Sequence, residues 1–188
     1  SLTSRMLSSL EKLPHVGDVV YEDEPDEQVR LMELIYQESE QRKKLFAQLS
    51  TDNFVQYNKA AKAAGMQTVP SIVVLIDRMA QLREWADQKK EDKLQLFYDM
   101  LRSASSQGIF FIMTAYERSE LPGKYQSFVH GVSLQMNERM DYADALGARI
   151  PMEWGGIREY PGRGMIARVD KEAKQTYVYE IQAAVYGT

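Results

Sequence analysis

Two apolar segments, each with one polar residue at or next to its carboxyl end, dominate the hydrophobic pattern of the chain. Ser71–Ile76 runs apolar into Asp77, and Ile109–Ala115 is apolar except for Thr114. Strands that are apolar along their whole length are typical of a parallel sheet with helices on both faces. A polar helical stretch, residues 83–107, lies between them, so the pattern predicts an α/β fold with a parallel sheet.

A long helix is predicted before the first strand. Pro25 and Asp26 suit its first turn, where the helix dipole favours acidic groups, and the helical period continues to about Gln48. Its apolar face includes two polar residues and consists of Met32, Ile35, Ser39, Arg42 and Phe46. A buried cation requires a partner, so we expect Arg42 to form a structural ion pair; an active-site role is the alternative.

A second helix is predicted within STDNFVQYNKAAKAAG, residues 50–65. Ser50 or Thr51 is expected to cap its first turn, and Gly65 is expected to end it. Its buried face is predicted to hold Phe54, Tyr57 and Ala61. Upstream, DVVY at residues 18–21 is predicted to form a short strand.

The last third of the chain predicts shorter elements. FVHGVSLQM, residues 128–136, is a possible third strand, and a short helix follows it and ends at Gly147. GMIARV at 164–169 and TYVYEIQAAV at 176–185 alternate in polarity and predict a hairpin around Asp170–Lys174. The hairpin is expected to add antiparallel strands at one edge of the sheet.

The composition predicts a soluble globular protein, with 44% hydrophobic and 27% charged residues. No repeat or interdomain linker interrupts the chain, so residues 1–188 are predicted to form a single domain. No apolar run approaches the roughly 20 residues of a membrane helix, and no secretory signal opens the chain. The net charge of -4 argues mildly against a dedicated nucleic-acid surface.

Several classes of chemistry are excluded by residue counts. The chain has no cysteine, which excludes disulfides, thiolate metal sites and cysteine nucleophiles. Its only histidines are His15 and His130, so neither a histidine-rich metal site nor a serine–histidine triad is expected. A magnesium ion shared with nucleotide phosphates is compatible with this composition.

Asp77 and Thr114 stand at the carboxyl ends of the two apolar strands. Ligands of open α/β sheets bind beyond these ends, so both side chains are predicted to reach the same rim. In nucleotide-hydrolysing domains a carboxylate there holds magnesium, and a neighbouring hydroxyl can sense the terminal phosphate or position water. The alternative is that Asp77 caps the following helix and Thr114 completes a strand end.

A phosphate-binding loop would require G-x-x-x-x-G-K-[ST], which the chain lacks. The Gly123–Lys124 pair is predicted to be a turn. Without the loop, the chain alone should bind nucleotide weakly or not at all. Arg163, which lies between two glycines in YPGRGMIARV, could present its guanidinium to a phosphate or carboxylate; the alternative is a simple turn that enters a strand.

Eight segments, in this order, resemble the FtsK/SpoIIIE-type motor ATPase domain, in particular the tandem ATPase modules of the EssC/EccC group of type VII secretion proteins. They are LPHVGDVV, RKKLF, NFVQYN, VPSIVVLID, GIFFIMTA, VSLQM with DYADALG, PGRGMI and EIQAA. The resemblance spans nearly the whole chain. It implies that VPSIVVLID is the Walker-B strand and that GIFFIMTA is the sensor strand.

The resemblance implies a RecA-like P-loop NTPase fold, with a mostly parallel sheet flanked by helices and with ATP and Mg bound between modules. In the secretion branch, the implied partners are neighbouring ATPase modules of the same protein, a homo-oligomer, and small helical WXG-type secreted substrates. The implied location is the cytoplasmic domain of a membrane-anchored protein. In the other branch the cargo is double-stranded DNA, so a fragment of a DNA translocase motor is the alternative function.

The chain also departs from the family pattern. The Walker-A strand and loop are expected before Ser1, so the chain resembles a partial domain, either trimmed or proteolysed. Arg78 stands at the position of the catalytic glutamate, and Gly131 of GVSL stands where many relatives carry an arginine. These departures imply a degenerate module that binds ATP or docks substrates, is inactive by itself, and uses ATP and Mg only within the full-length protein.

The resemblance also assigns roles within such a module. Asp77 would be the residual magnesium-side carboxylate, and Thr114 would be the sensor hydroxyl. Arg163 would be a loop arginine near the nucleotide or a neighbouring module. The cationic Arg78 is expected to form an ion pair with Asp77 and to lower the demand for magnesium.

Overall fold

The computed structural model describes residues 7–21, 23–80, 93–121, 126, 130–150, 160–170, 172 and 175–184. The chain divides into two compact units, Ser1–Ala115 and Tyr116–Thr188. The described strands form a two-stranded sheet in the first unit and a three-stranded sheet in the second. In the described part of the chain, no helix is long and apolar enough to cross a bilayer.

Helix α1 spans Pro25–Gln48, as the sequence predicts. Proline fits the first turn because its missing N–H would have no helical partner there, and the acidic side chains of this turn favour the helix dipole. One face is buried and consists of Met32, Ile35, Ser39, Arg42 and Phe46. The prediction that two polar residues lie on the buried face is therefore confirmed.

Helix α2 spans Phe54–Ala63, but its cap differs from the prediction. Asn53 caps the helix, because its Oδ1 accepts a hydrogen bond from the Gln56 N–H at 3.0 Å. Thr51 instead donates its hydroxyl to the Phe46 carbonyl at 3.0 Å and closes α1. The expectation of a Ser50 or Thr51 cap was wrong because several side chains of one short connection can cap, and α1 uses the threonine.

Aromatic stacking joins α2 to α1. The rings of Phe46 and Tyr57 stack with their centroids 4.8 Å apart, and Ala61 completes this buried cluster. After the helix, Gly65 adopts a left-handed φ of 68°, which confirms the predicted helix stop.

Strands β1, Ile72–Ile76, and β2, Ile109–Met113, form a parallel pair. Their register aligns first residue with first residue and last with last. Helix α3, Lys93–Ser103, and a 3₁₀ turn, Ala104–Gln107, lead into β2. The predicted order of strand, helix and strand and the predicted parallel pairing are confirmed.

The described residues of the first unit cover only one face of this sheet. The ring of Phe111 lies edge-on to Phe97 of α3, with centroids 5.4 Å apart. The opposite face exposes large apolar side chains, namely Val73, Leu75, Phe110 and Ile112. The expectation that helices cover both faces is therefore wrong for the described part of the chain. A continuous apolar run specifies two apolar faces but not the element that covers each.

The segment DVVY, Asp18–Tyr21, is not a strand. The Asp18 carboxylate accepts a hydrogen bond from the Val19 N–H at 2.9 Å, and the Tyr21 carbonyl accepts one from the Gln28 side chain of α1 at 2.7 Å. Val19 and Val20 favour a strand, but no strand among the described residues pairs with them.

The second unit contains an antiparallel sheet in the order β3-β4-β5. These strands are Val132–Leu134, Arg163–Asp170 and Gln175–Gln182. The predicted hairpin of the last two strands is confirmed. The expectation that it extends the parallel sheet is wrong for the described strands, because β3, β4 and β5 form a sheet separate from that of β1 and β2.

Helix α4, Arg139–Leu146, packs against this sheet. Its Tyr142 and Leu146 form a buried cluster with Ile150 and with Met165 of β4. Gly147 follows with a left-handed φ of 59°, as predicted for the helix end. Parts of other predicted elements lie outside the described residues, namely the Gly123–Lys124 turn and residues 83–92, 128–129, 171, 173–174 and 185.

Gly108 provides a test of the packing around β2. It has a φ of +77°, and an added Cβ would lie 2.3 Å from Cδ2 of the Phe54 ring. Gly65 is a matched control, because its φ is +68° and no atom lies within 4 Å of its Cβ position. We expect Gly65→Ala to cost about 1 kcal/mol from backbone strain. Gly108→Ala should cost about 1–3 kcal/mol more, because the ring must move.

Urea unfolding of the two variants measures this difference. Equal free energies of unfolding for Gly108→Ala and Gly65→Ala would contradict the contact between Gly108 and Phe54.

Candidate functional site

The carboxyl ends of β1 and β2 bring Asp77 and Thr114 together. Asp77 directly follows β1, and Thr114 directly follows β2. The Thr114 N–H donates to the Ile76 carbonyl at 2.9 Å, which extends the parallel pairing by one step. The two side chains therefore share one rim of the sheet, where ligands of α/β proteins bind.

The Thr114 hydroxyl forms two hydrogen bonds at this rim. It donates to Oδ1 of Asp77 at 2.6 Å and accepts from the Arg78 N–H at 2.8 Å. A hydroxyl has one proton to donate, so the proton of Thr114 is committed to the carboxylate. The short distance is typical of an O–H···O⁻ bond, which is stronger than a bond between neutral groups.

The backbone turns sharply at Arg78. Its φ is 62°, a left-handed value that costs a residue with a Cβ about 1–2 kcal/mol. The Met79 N–H donates to the Thr114 carbonyl at 2.9 Å, so Thr114 bonds to the residues on both sides of the turn. These bonds hold the strained conformation where the chain becomes helical.

The expected ion pair between Asp77 and Arg78 is not formed. Among the ion pairs of the described residues, none joins these two side chains. The Asp77 carboxylate accepts a hydrogen bond from the Thr114 hydroxyl instead. The left-handed turn accounts for the difference, because it gives the Arg78 N–H to Thr114 and makes Thr114 the immediate neighbour of the carboxylate.

The chemistry of Asp77 is compatible with a bound cation. Asp77 is exposed, and only its Oδ1 is engaged among the described residues, so one carboxylate oxygen is available to a hard cation. The described residues contain no group of three or more His, Asp or Glu side chains that could hold a metal. An ion at Asp77 would therefore need oxygen ligands from phosphates or from water.

Arg163 lies in the second unit, at the first position of β4. Its guanidinium pairs with Glu180 of β5 at 3.0 Å and donates to Gln182 Oε1 at 3.3 Å. The Arg163 N–H donates to the Tyr160 carbonyl at 3.0 Å, so the preceding residues form the turn that was the alternative interpretation. Both charged side chains of the pair are partly exposed, and an ion pair of this kind contributes roughly 0–1 kcal/mol.

Arg42 forms the structural ion pair that the sequence predicts. Its Nε lies 2.7 Å from Oε1 of Glu38, one turn earlier in α1. Its Nη1 also donates to the Gln107 carbonyl at 2.9 Å, a contact that sequence analysis did not identify. A cation on an apolar helix face signals a buried partner, but the partner's position 65 residues along the chain follows only from the fold.

Asn58 is a further residue whose contact the sequence analysis missed. Its amide group bonds twice to Val69, donating to the carbonyl and accepting from the N–H, both at 2.9 Å. An amide side chain can replace a strand partner in this way, because it offers one donor and one acceptor side by side. The contact holds the chain just before β1.

Gly131 is the residue that departs from the arginine implied by the family resemblance. An added Cβ would lie 2.3 Å from the Ala145 carbonyl oxygen and 3.1 Å from Cα of Leu146, near the end of α4. The same carbonyl accepts a hydrogen bond from Nη1 of Arg118 at 3.1 Å, and Nη2 of Arg118 donates to the Gln126 carbonyl at 2.7 Å. The close approach of α4 therefore leaves no room for a side chain at Gly131.

Comparison with known proteins supports the fold. Residues 3–120, more than half of the chain, match the FtsK/SpoIIIE family model. The DNA translocase FtsK of Campylobacter jejuni is 26% identical over 168 residues, which cover 84% of this chain and 17% of that protein. The chain thus spans only a small part of that relative.

Two solved structures of secretion ATPases have the same fold. EssC (ATPases 2 and 3) from Geobacillus thermodenitrificans aligns with a TM-score of 0.71 and 22% identity, covering 95% of this chain and 31% of that one. EccC (ATPases 2 and 3) of Thermomonospora curvata, in complex with a signal sequence peptide, aligns with a TM-score of 0.63 and 20% identity, covering 86% and 28%. The predicted P-loop ATPase fold and the resemblance to this family are therefore confirmed.

The packing at Gly131 gives a test of whether this position can hold a side chain. We expect Gly131→Ala to lower the free energy of unfolding by about 1–3 kcal/mol, because the Cβ would meet the Ala145 carbonyl and α4 would have to shift. Gly17 is the matched control, since nothing lies within 4 Å of its Cβ position. Gly17→Ala should change stability by less than about 0.5 kcal/mol.

Chemical unfolding measures both variants, and Gly131→Arg should be at least as unstable as Gly131→Ala. A Gly131→Arg variant as stable as the unsubstituted chain would show that this position still accommodates an arginine.

Proposed function

The chain belongs to the FtsK/SpoIIIE family, and we propose that it is a hydrolysis-poor ATPase module of a type VII protein secretion motor. Such a module binds ATP without turnover or docks substrates for its neighbours. Asp77 and Thr114 form the remaining part of its nucleotide site, and Arg163, at the start of β4, serves at a contact with a neighbouring module.

The observation that carries this proposal is the Asp77–Thr114 pair beside Arg78. The Thr114 hydroxyl donates its hydrogen bond to Asp77 at 2.6 Å, so a phosphate can accept that hydrogen bond only by displacing Asp77. A hydrolytic site also needs a group that positions or deprotonates the attacking water. A guanidinium stays protonated and accepts no hydrogen bond, so Arg78 cannot act as that base.

ATP and magnesium are the cofactors that the family implies. Magnesium would neutralise the charge of the phosphates, and Asp77 would hold it through a carboxylate oxygen. The sequence contains no G-x-x-x-x-G-K-[ST] loop, so the phosphates would have to be bound by residues outside this sequence. In our proposal these residues belong to the full-length protein, and this chain alone is inactive.

The partners follow from the same proposal. The structural neighbours carry more than one ATPase module, and one of them was solved with a signal sequence peptide. We propose that this chain contacts further ATPase modules of its own protein, within a possible homo-oligomer, and docks small helical WXG-type secreted substrates. The full-length protein would be membrane-anchored, with this module in the cytoplasm.

A fragment of a DNA translocase is the alternative function. The DNA translocase of Campylobacter jejuni, at 26% identity, favours it. The formal net charge of -4 opposes it, because binding to the phosphate backbone of DNA depends on a local excess of Lys and Arg.

A peptide titration tests the proposed function. The intact chain is titrated with the signal sequence peptide of a type VII substrate, with and without Mg and ATP, and binding is followed through its 2 tryptophans. We expect saturable binding in the absence of nucleotide and no release of phosphate in its presence. A scrambled peptide of the same composition is the control and should not bind.

Duplex DNA, titrated at several salt concentrations, provides the second arm. Failure of the peptide to bind under both conditions would contradict docking, and steady ATP turnover by this chain would contradict a hydrolysis-poor module. Tight DNA binding that weakens steeply with salt would support the translocase instead.

A further inference from the structure

A buried polar contact joins α1 to the segment that starts β2. The Arg42 residue is 2% exposed, and its Nη1 donates to the Gln107 carbonyl at 2.9 Å. Gln107 is itself buried, and its Oε1 accepts the hydroxyl of Ser39, one turn before Arg42 on the same face of α1, at 3.2 Å. Both polar residues on the buried face of α1 therefore contact the same residue.

The next residue connects this contact to β1. The Gly108 carbonyl accepts the Ile72 N–H at 2.9 Å, and this bond is the first link between the two strands. Gly108 adopts a φ of 77°, and the Phe54 ring lies over its Cα. The amino-terminal ends of β1 and β2 are thus fixed to each other at the point where Arg42 holds the chain.

The register set at this end decides which residues meet at the other end. From the Ile72–Ile109 pair, the ladder runs without a bulge to the Ile76–Met113 pair, directly before Asp77 and Thr114. A slip of one residue would place Met113 or Ala115 beside Asp77, and neither side chain has a hydroxyl. The Asp77–Thr114 bond therefore requires a fixed register.

We propose that Arg42 is a positioning residue for the Asp77–Thr114 pair. Arg42 acts through the backbone of Gln107 and Gly108, and it sets the position of β2 along β1. This inference concerns the geometry of the pair, so it holds whether or not the pair binds a nucleotide.

Arginine suits this role because its guanidinium bonds in two directions at once. Nε reaches Oε1 of Glu38 at 2.7 Å while Nη1 reaches the Gln107 carbonyl at 2.9 Å. A lysine could keep the ion pair with Glu38, but its single ammonium does not reproduce the planar fork that spans both partners. The Glu38 carboxylate compensates the buried charge. The hydrogen bond to the Gln107 carbonyl fixes the position of that backbone relative to α1.

Amide hydrogen exchange of the intact chain, followed by NMR, tests this proposal. The Arg78 N–H reports directly on the pair, because its acceptor is the Thr114 hydroxyl. The Ala64 N–H, which donates to the Ala60 carbonyl at the end of α2, reports on general stability. In Arg42→Met we expect the protection of Arg78 to fall about tenfold more than that of Ala64, since the Gln107 carbonyl loses its donor.

Phe46→Leu is the matched control, because Phe46 lies on the same buried face of α1 and stacks on Tyr57 without contributing to the Gln107 hydrogen bonds. Because Phe46 stacks on Tyr57 of α2, this substitution should lower the protection of Ala64 at least as much as that of Arg78. An equal loss at both amides in Arg42→Met would overturn the proposal, because Arg42 would then act only through overall stability.

Two milder variants keep the test decisive if Arg42→Met does not fold. Arg42→Lys keeps a cation near Glu38 and should still lose protection selectively at Arg78. Glu38→Gln keeps the donor to the Gln107 carbonyl, so the protection of Arg78 should follow that of Ala64. The reverse result, with selective loss in Glu38→Gln and none in Arg42→Lys, would overturn the assignment.

Discussion

The parallel register of β1 and β2 is the constraint on which the candidate site depends. It places the hydroxyl of Thr114 2.6 Å from the carboxylate of Asp77 and allows the same hydroxyl to accept the Arg78 N–H. Neither residue belongs to a strand, yet both positions follow from the pairing of the two strands. At the amino-terminal ends of the strands, Asn58 holds the chain before β1 and Arg42 holds the chain before β2. Both contacts support the same register.

In the proposed function, the hydrogen bond between Asp77 and Thr114 and the cationic Arg78 distinguish this rim from a site built for hydrolysis. A water-activating base is absent at Arg78, and the turn there is held in a left-handed conformation. At Gly131 the approach of α4 leaves no room for a side chain. The two departures therefore differ in physical origin: one changes the chemistry of the rim, and the other is fixed by packing. A side chain at Gly131 would require α4 to move.

Local patterns predicted most of the fold, since the long helix, the parallel pair and the terminal hairpin each have a clear periodicity. The meeting of Asp77 and Thr114 was also predictable, because both follow apolar strands of one sheet. The prediction of an ion pair between Asp77 and Arg78 was wrong because a non-glycine residue at φ 62° has no signature in the sequence. The prediction that helices cover both faces of the sheet was wrong because apolar strands do not identify which element packs on them. The contact of Arg42 with β2 depends on tertiary structure alone.

A double-mutant cycle between Asp77 and Thr114 tests the central claim most directly. The free energy of unfolding is measured for the unsubstituted chain, Asp77→Ala, Thr114→Val and the double variant. Because the hydroxyl donates to a charged acceptor at an exposed rim, we expect a coupling free energy of about 1 kcal/mol. Additivity of the two substitutions within about 0.3 kcal/mol would contradict the claim that the register of β1 and β2 joins these side chains.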